Sequence, residues 1–215
     1  MKIKWLGHAS FLITSESGVR IITDPYQSGG ELKYQPVTEV ADIVTVSHDH
    51  FDHNQVATVK GNPEVVSGAG TKEVKGIRFR GVPCAHDEEG GKLRGANFIF
   101  CFGVDGVKVC HLGDLGHPLS AEQLQEIGAV DVVLIPVGGF YTIDAKVASD
   151  VCLKLKPKLV IPMHFKNERC AFPISGVDDF LLGKEDISRL DSSEVEVKRE
   201  ELPPSTRIIV LKPAL

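Results

Sequence analysis

The sequence has no segment long and apolar enough to cross a bilayer, which argues against a membrane-spanning protein. Its N-terminal run, MKIKWLGHASFLI, is interrupted by Gly7, His8 and Ser10 and meets no small-residue cleavage site, so it does not read as an export signal. A long basic run is also missing. The densest positive stretch, VKGIRFRG (residues 74–81), is short and alternates with apolar residues, and the net charge is −5. Phosphate-binding surfaces usually leave a basic stripe, so nucleic acid is not the expected partner. Five cysteines (Cys84, Cys101, Cys110, Cys152 and Cys170) form an odd set without CxxC spacing, mostly inside apolar runs. They read as buried, reduced thiols of a cytoplasmic protein. Internal repeats and low-complexity tracts are absent as well, which excludes solenoid and tail-like organisations.

What is present is ordinary globular material of 215 residues, enough for one sizeable core, and a single domain over residues 1–215 is expected. KIKWL, SFLIT and VRIITD read as an antiparallel meander ending at Asp24-Pro25, and ADIVTVS as a strand covered on both faces. Further strands are expected at EVVSG, IRFRGVP, NFIFCFGV, VKVCHLG, DVVLIPV, KLVIPMH and TRIIVLK. SAEQLQEIG carries a capping box (Ser120, Gln123) and a Gly128 stop, and DAKVASDVCLKLKP has Asp144 as N-cap and Pro157 as terminator. A third helix is predicted to start at Ser175 and stop at Gly183 in SGVDDFLLG. Strands first and strand–helix alternation later predict two packed sheets with helices outside, and chemistry at strand ends.

The chemistry is announced by HDHFDH, three histidines and two aspartates between His48 and His53. His48 and His50, two apart in an extended loop leaving a buried strand, can project to one side and serve one metal ion. Asp52 and His53 follow where the chain turns, and suit a second ion. Zinc accepts such a mixture of imidazole and carboxylate. Three later strand ends offer more donors: His86 in GVPCAHD, Asp114 in CHLGDLGH and His164 in VIPMHF.

These residues resemble the metallo-β-lactamase superfamily, whose HxHxDH motif matches HDHFDH and whose later ligands fall in order at His86, Asp114 and His164. WLGHASF, TDP, HLGDLGH, PVGG and PMHF resemble more narrowly its branch of small metal-dependent hydrolases that includes ascorbate-6-phosphate lactonase-like proteins. The resemblance implies an α/β fold of the αββα four-layer sandwich type, with metals at one edge between the sheets. It implies that His48, His50 and His86 hold one ion, that Asp52, His53 and His164 hold the other, and that Asp114 bridges both. The implied cofactors are two divalent ions, zinc first, with manganese or iron as alternatives.

Two ions about 3.5–4 Å apart lower the pKa of a shared water and can direct its attack on an ester, lactone, amide or phosphoester. The expected activity is hydrolysis of a small molecule, with Asp52, Asp114 and His8 as catalytic candidates. His8 is expected to face the site as proton donor or orienting group, and Asp24 to fix a ligand histidine. His117 could border the pocket and Lys166 could meet an anionic substrate group; Tyr141 and Thr142 could line a wall; His111 is expected to be packed. A phosphodiesterase or nuclease is the nearest rival, opposed by the acidic balance. An iron-dependent oxidoreductase is a second, although those relatives place glutamate where this chain has His50; a non-enzymatic binding protein is the third.

Overall fold

The computed structural model describes residues 1–215. The meander is present: β1 (Lys2–Gly7), β2 (Ser10–Thr14) and β3 (Arg20–Thr23) pair antiparallel, and β4 (Ile43–Val46) and β5 (Glu64–Ser67) then add in parallel. The next strands are β6 (Gly70–Val74), β7 (Ile77–Ala85), β8 (Ala96–Val104) and β9 (Val107–His111), all antiparallel neighbours. From there the chain alternates: α1 (Ala121–Ile127), β10 (Val132–Pro136), α2 (Ala145–Leu155), β11 (Leu159–Met163) and α3 (Val177–Leu181). It ends with β12 (Ile187–Arg189), β13 (Glu194–Glu196) and β14 (Arg207–Val210).

The strands form two sheets, β13-β1-β2-β3-β4-β5 and β12-β14-β11-β10-β9-β8-β7-β6. β4, β10 and β11 are buried at every position, as continuous apolar runs require when both sheet faces are covered. A cluster of 47 buried residues, including Trp5, Ile13, Ile21, Ile43, Phe79, Phe100 and Leu134, draws on both sheets. Because neighbours in a strand face opposite ways, Ile22 and Val44 belong to a second cluster, where Tyr26, Tyr34 and Val37 of the loop after β3 cover the first sheet. The three α-helices all lie in the part of the chain that builds the second sheet.

Local signals decide most helix ends. Ser120 and Gln123 exchange both capping-box hydrogen bonds at α1, and the Asp144 side chain accepts from Val147 N at α2. Ala148, Val151 and Leu155 are the buried face of α2. The third helix departs from expectation: it begins at Val177 with Gly176 as an N-cap lacking a side-chain bond. Ser175 is instead committed to a backbone bridge, donating to Gly138 O and accepting from Lys166 N. Strands β6, β12 and β13 were not legible as strands; β13 is an outer strand of the first sheet, and β12 and β6 are the two outer strands of the second. All five cysteines are free of disulfides, but only Cys110 and Cys170 are fully buried; Cys84, Cys101 and Cys152 are half-buried as residues and pack against the core cluster.

Candidate metal centre

Strand ends from both sheets converge on one cluster. β4 delivers Ser47 and then the loop carrying His48, His50, Asp52 and His53, which turns back through His53 N and Asn54 N donating to His50 O (both 3.0 Å). The second sheet delivers His86 after β7, Asp114 after β9 and His164 after β11. Donor atoms of His48, His50 and His86 lie within 4.8 Å of one another, and so do those of His8, Asp52, His53 and His164. Asp114 lies between the groups: Oδ2 is 3.2 Å from His86 Nε2 and 3.3 Å from His164 Nε2, and Oδ1 is 3.2 Å from His53 Nε2. All seven ligand candidates are therefore brought together.

Asp24 organises the cluster from below. Its carboxylate accepts from Ser47 N (2.8 Å), Ser47 Oγ (2.5 Å) and His53 Nδ1 (2.9 Å). Ser47 Oγ spends its one proton on Asp24 and so accepts from His48 Nδ1 (2.9 Å). Both histidines thereby donate through Nδ1 and turn Nε2 toward the centre, the atom left for a metal once it carries no proton. Asp24, His48 and His53 also lie close enough to suggest a third ion, but the Asp24 oxygens are already occupied. On the other sheet Asn97 plays the matching part: Oδ1 accepts from Asp114 N (3.0 Å) while Nδ2 donates to Leu112 O (2.9 Å).

The donor set fits a metal. His48 Nε2, His53 Nε2 and Asp114 Oδ1 are buried without a hydrogen-bond partner. Lone pairs gathered out of water without donors are costly, and a cation relieves all of them together. Without a cation, burial opposes the charge on His53, but Asp114 and Asp52 outweigh it and keep His53 protonated well above the ordinary imidazole range. Burial, reinforced by that charge, brings His48 down to about 3; a metal ion would take the place of the His53 proton. Burial also opposes ionisation of Asp114, but His164 and His53 outweigh it and hold the carboxyl well below its usual range. Backbone strain gathers here too: His8, Asp24 and His164 all have left-handed φ, of 51°, 38° and 49°.

The remaining candidates separate cleanly. His8 is buried, its Nε2 donates to Asp52 Oδ2 (3.2 Å), and its ring lies 4.2 Å from that of His164. His111 is packed, bonded to Ala9 O and Gly113 N. His117 accepts from Ala85 N and bonds Pro118 O, so it braces a strand end and does not reach the pocket. Lys166 is exposed and absent from the cavity of about 290 Å³ that opens on the cluster, whereas Tyr141 lines it. Thr142 lines the neighbouring cavity. Ser47, Asn97 and Arg94 were missed; their side chains acquire meaning only when distant strands meet.

The Beta-lactamase superfamily domain model matches residues 2–164. Two packed sheets and a His/Asp cluster able to bind metal thus define a metal-dependent hydrolase of the metallo-β-lactamase class. A UPF0173 metal-dependent hydrolase of Thermococcus onnurineus is 31% identical over 191 residues, covering 77% of this chain and 84% of that protein. One from Methanoculleus marisnigri is 34% identical over 189 residues, with 77% and 81% covered. A crystal structure of a candidate Zn-dependent hydrolase of the metallo-β-lactamase superfamily from Thermotoga maritima is 39% identical. It covers 98% of this chain and 97% of its own, with a TM-score of 0.80. The chain belongs to the metallo-β-lactamase superfamily and, within it, to the UPF0173 metal-dependent hydrolase family.

Proposed function

We propose that this hydrolase cleaves a small ester or lactone with two divalent ions, zinc by preference of the ligand set. The observation that carries the reading is the division of the donors into two groups that share Asp114. His48, His50 and His86 would hold one ion, and Asp52, His53 and His164 the other, with Asp114 placed to serve both groups. Bound there, two such ions activate water near neutral pH and polarise a scissile carbonyl.

The chain's own residues supply aim. Asp24, directly and through Ser47, fixes the tautomers of His53 and His48. His8 is buried and bonded to Asp52, which suits an orienting role better than proton delivery. The cavity of about 290 Å³ suits a small molecule, and a polymer is not required to fill it. Unpaired thiols fit a reducing compartment, so we place the protein in the cytoplasm.

The test is a metal-loaded hydrolysis screen over carboxylic esters, lactones, thioesters, amides and phosphodiesters, run beside elemental analysis. Turnover of an ester or lactone with two ions per chain is expected. Turnover confined to phosphodiesters would replace the substrate class, and a single ion in the fully active enzyme would remove the two-ion reading.

A further inference from the structure

Arg94 is a half-buried cation at the mouth of the metal cavity that is paired with no carboxylate. It lines the cavity of about 290 Å³ with His50, His86, Asp114 and Tyr141, and also the adjoining cavity of about 370 Å³. Its side chain forms no ion pair or hydrogen bond within the protein; the guanidinium carbon lies 5.5 Å from the Tyr141 ring centroid. Elsewhere Arg20, Arg80, Arg189, Arg199 and Arg207 each meet a carboxylate and Arg169 bonds backbone carbonyls, while Arg78, also without a partner, is exposed and lines neither cavity.

The backbone that presents Arg94 is held firmly. Asp87, the residue after His86, accepts four backbone N–H bonds, from Glu89, Gly91, Leu93 and Arg94, at 2.8–2.9 Å. The loop is thus wrapped around one carboxylate, and Arg94 is set at a fixed place beside a metal candidate. Carboxylates border both cavities, Glu88 and Glu89 in the adjoining one and Glu31, Asp52 and Asp114 in the metal one, so an anion is favoured on the metal side of Arg94 only once bound cations offset Asp52 and Asp114. Tyr141, Phe51 and Phe172 supply an apolar wall to the same metal cavity, and Phe51 is 58% exposed.

We propose that the substrate carries a carboxylate or phosphate beside an apolar body, and that Arg94 binds this oxyanion in two-point fashion while the aromatic wall takes the body. Arg94 is then the residue that selects acidic substrates. The proposal rests on the cavity being the substrate site of the hydrolase.

The experiment uses metal-loaded protein and inert probes: 4-phenylbutyrate, 3-phenylpropylphosphonate and the neutral 4-phenylbutyramide, titrated by calorimetry into wild type, R94A and R94K. Loss of a hydrogen-bonded charge contact should raise the dissociation constant of an acidic probe about ten- to a hundredfold in R94A. R94K should recover part of that loss, and amide binding should stay unchanged, which also reports an intact pocket. A loss restricted to one acid identifies the preferred oxyanion. Equal binding of both acids by wild type and R94A, or an equal loss for the amide, would overturn the proposal. Failure of the hydrolase reading has a different signature: no turnover in the ester and lactone screen while the Arg94 dependence of acid binding persists.

Discussion

His50 is the one imidazole of the cluster that is only half-buried, and it lines the cavity where a substrate must enter. Its removal takes a donor from the His48 and His86 group without emptying the core, so His50→Ala should fold. Hydrolysis should fall to background and metal content should drop; full activity with two ions retained would remove His50 from the ligand set. Ser47 allows a sharper test, because it touches no proposed ion. Ser47→Ala breaks both the 2.5 Å bond to Asp24 and the 2.9 Å bond to His48, leaving the His48 ring free to turn. Loss of such a supporting partner typically weakens metal binding about 10–100-fold. Competition against a chromogenic chelator measures it, and unaltered affinity would show that Ser47 does not set the tautomer. The candidate donors that converge in the fold were legible in the sequence because HDHFDH is local and His86, Asp114 and His164 each close an apolar strand. Ser47 was not, since a serine after a strand is unremarkable until Asp24 arrives beside it from another strand.

Between β9 and the metal cluster the chain has almost no room. Gly113 has φ of +55°, and a Cβ there would stand 2.4 Å from Asn97 Oδ1 and 2.6 Å from Ser47 Cβ. Those two side chains hold Asp114 N and His48, so relief of the clash must move one ligand or the other. Gly113→Ala should therefore lose metal and activity together, with a lowered melting temperature; a variant with normal metal content would show that the loop has slack. The same element explains why pattern reading succeeds unevenly. α1 and α2 begin where Ser120 and Asp144 bond their own backbone, a preference contained in a few residues. α3 is capped at Gly176, one residue later than Ser175 suggests, because Ser175 serves a bridge to Gly138 and Lys166 that no local pattern reveals. β13 reads as a short charged segment, and pairs Ile3 with Val195 only because β1 offers an open edge.

Across the molecule, several weak acids are kept out of water while neutral, which fixes how stability responds to alkali. Burial pushes the thiols of Cys84 and Cys152 up to about 12, from an ordinary value of 9.0. Burial likewise holds the Tyr26 and Tyr34 phenols well above their ordinary 10.0, with Tyr26 bonded to Leu6 O and Gln35 O in the second apolar cluster. Once pH passes 9.0 the unfolded chain sheds these thiol protons, and past 10.0 the phenol protons, while the native fold retains them. The native state then binds more protons than the unfolded one, so unfolding free energy decreases as pH rises through this window. Below 9.0 both states hold the protons and these groups give no slope. Thermal denaturation should accordingly show a steadily falling melting temperature from about pH 9 to pH 11, and Tyr26→Phe, which removes one of the titrating groups, should make the fall shallower. A melting temperature that is flat or rising over that interval would mean that the buried phenols and thiols reach solvent in the native fold, and with it that the loop holding Tyr26 and Tyr34 over the first sheet is not closed.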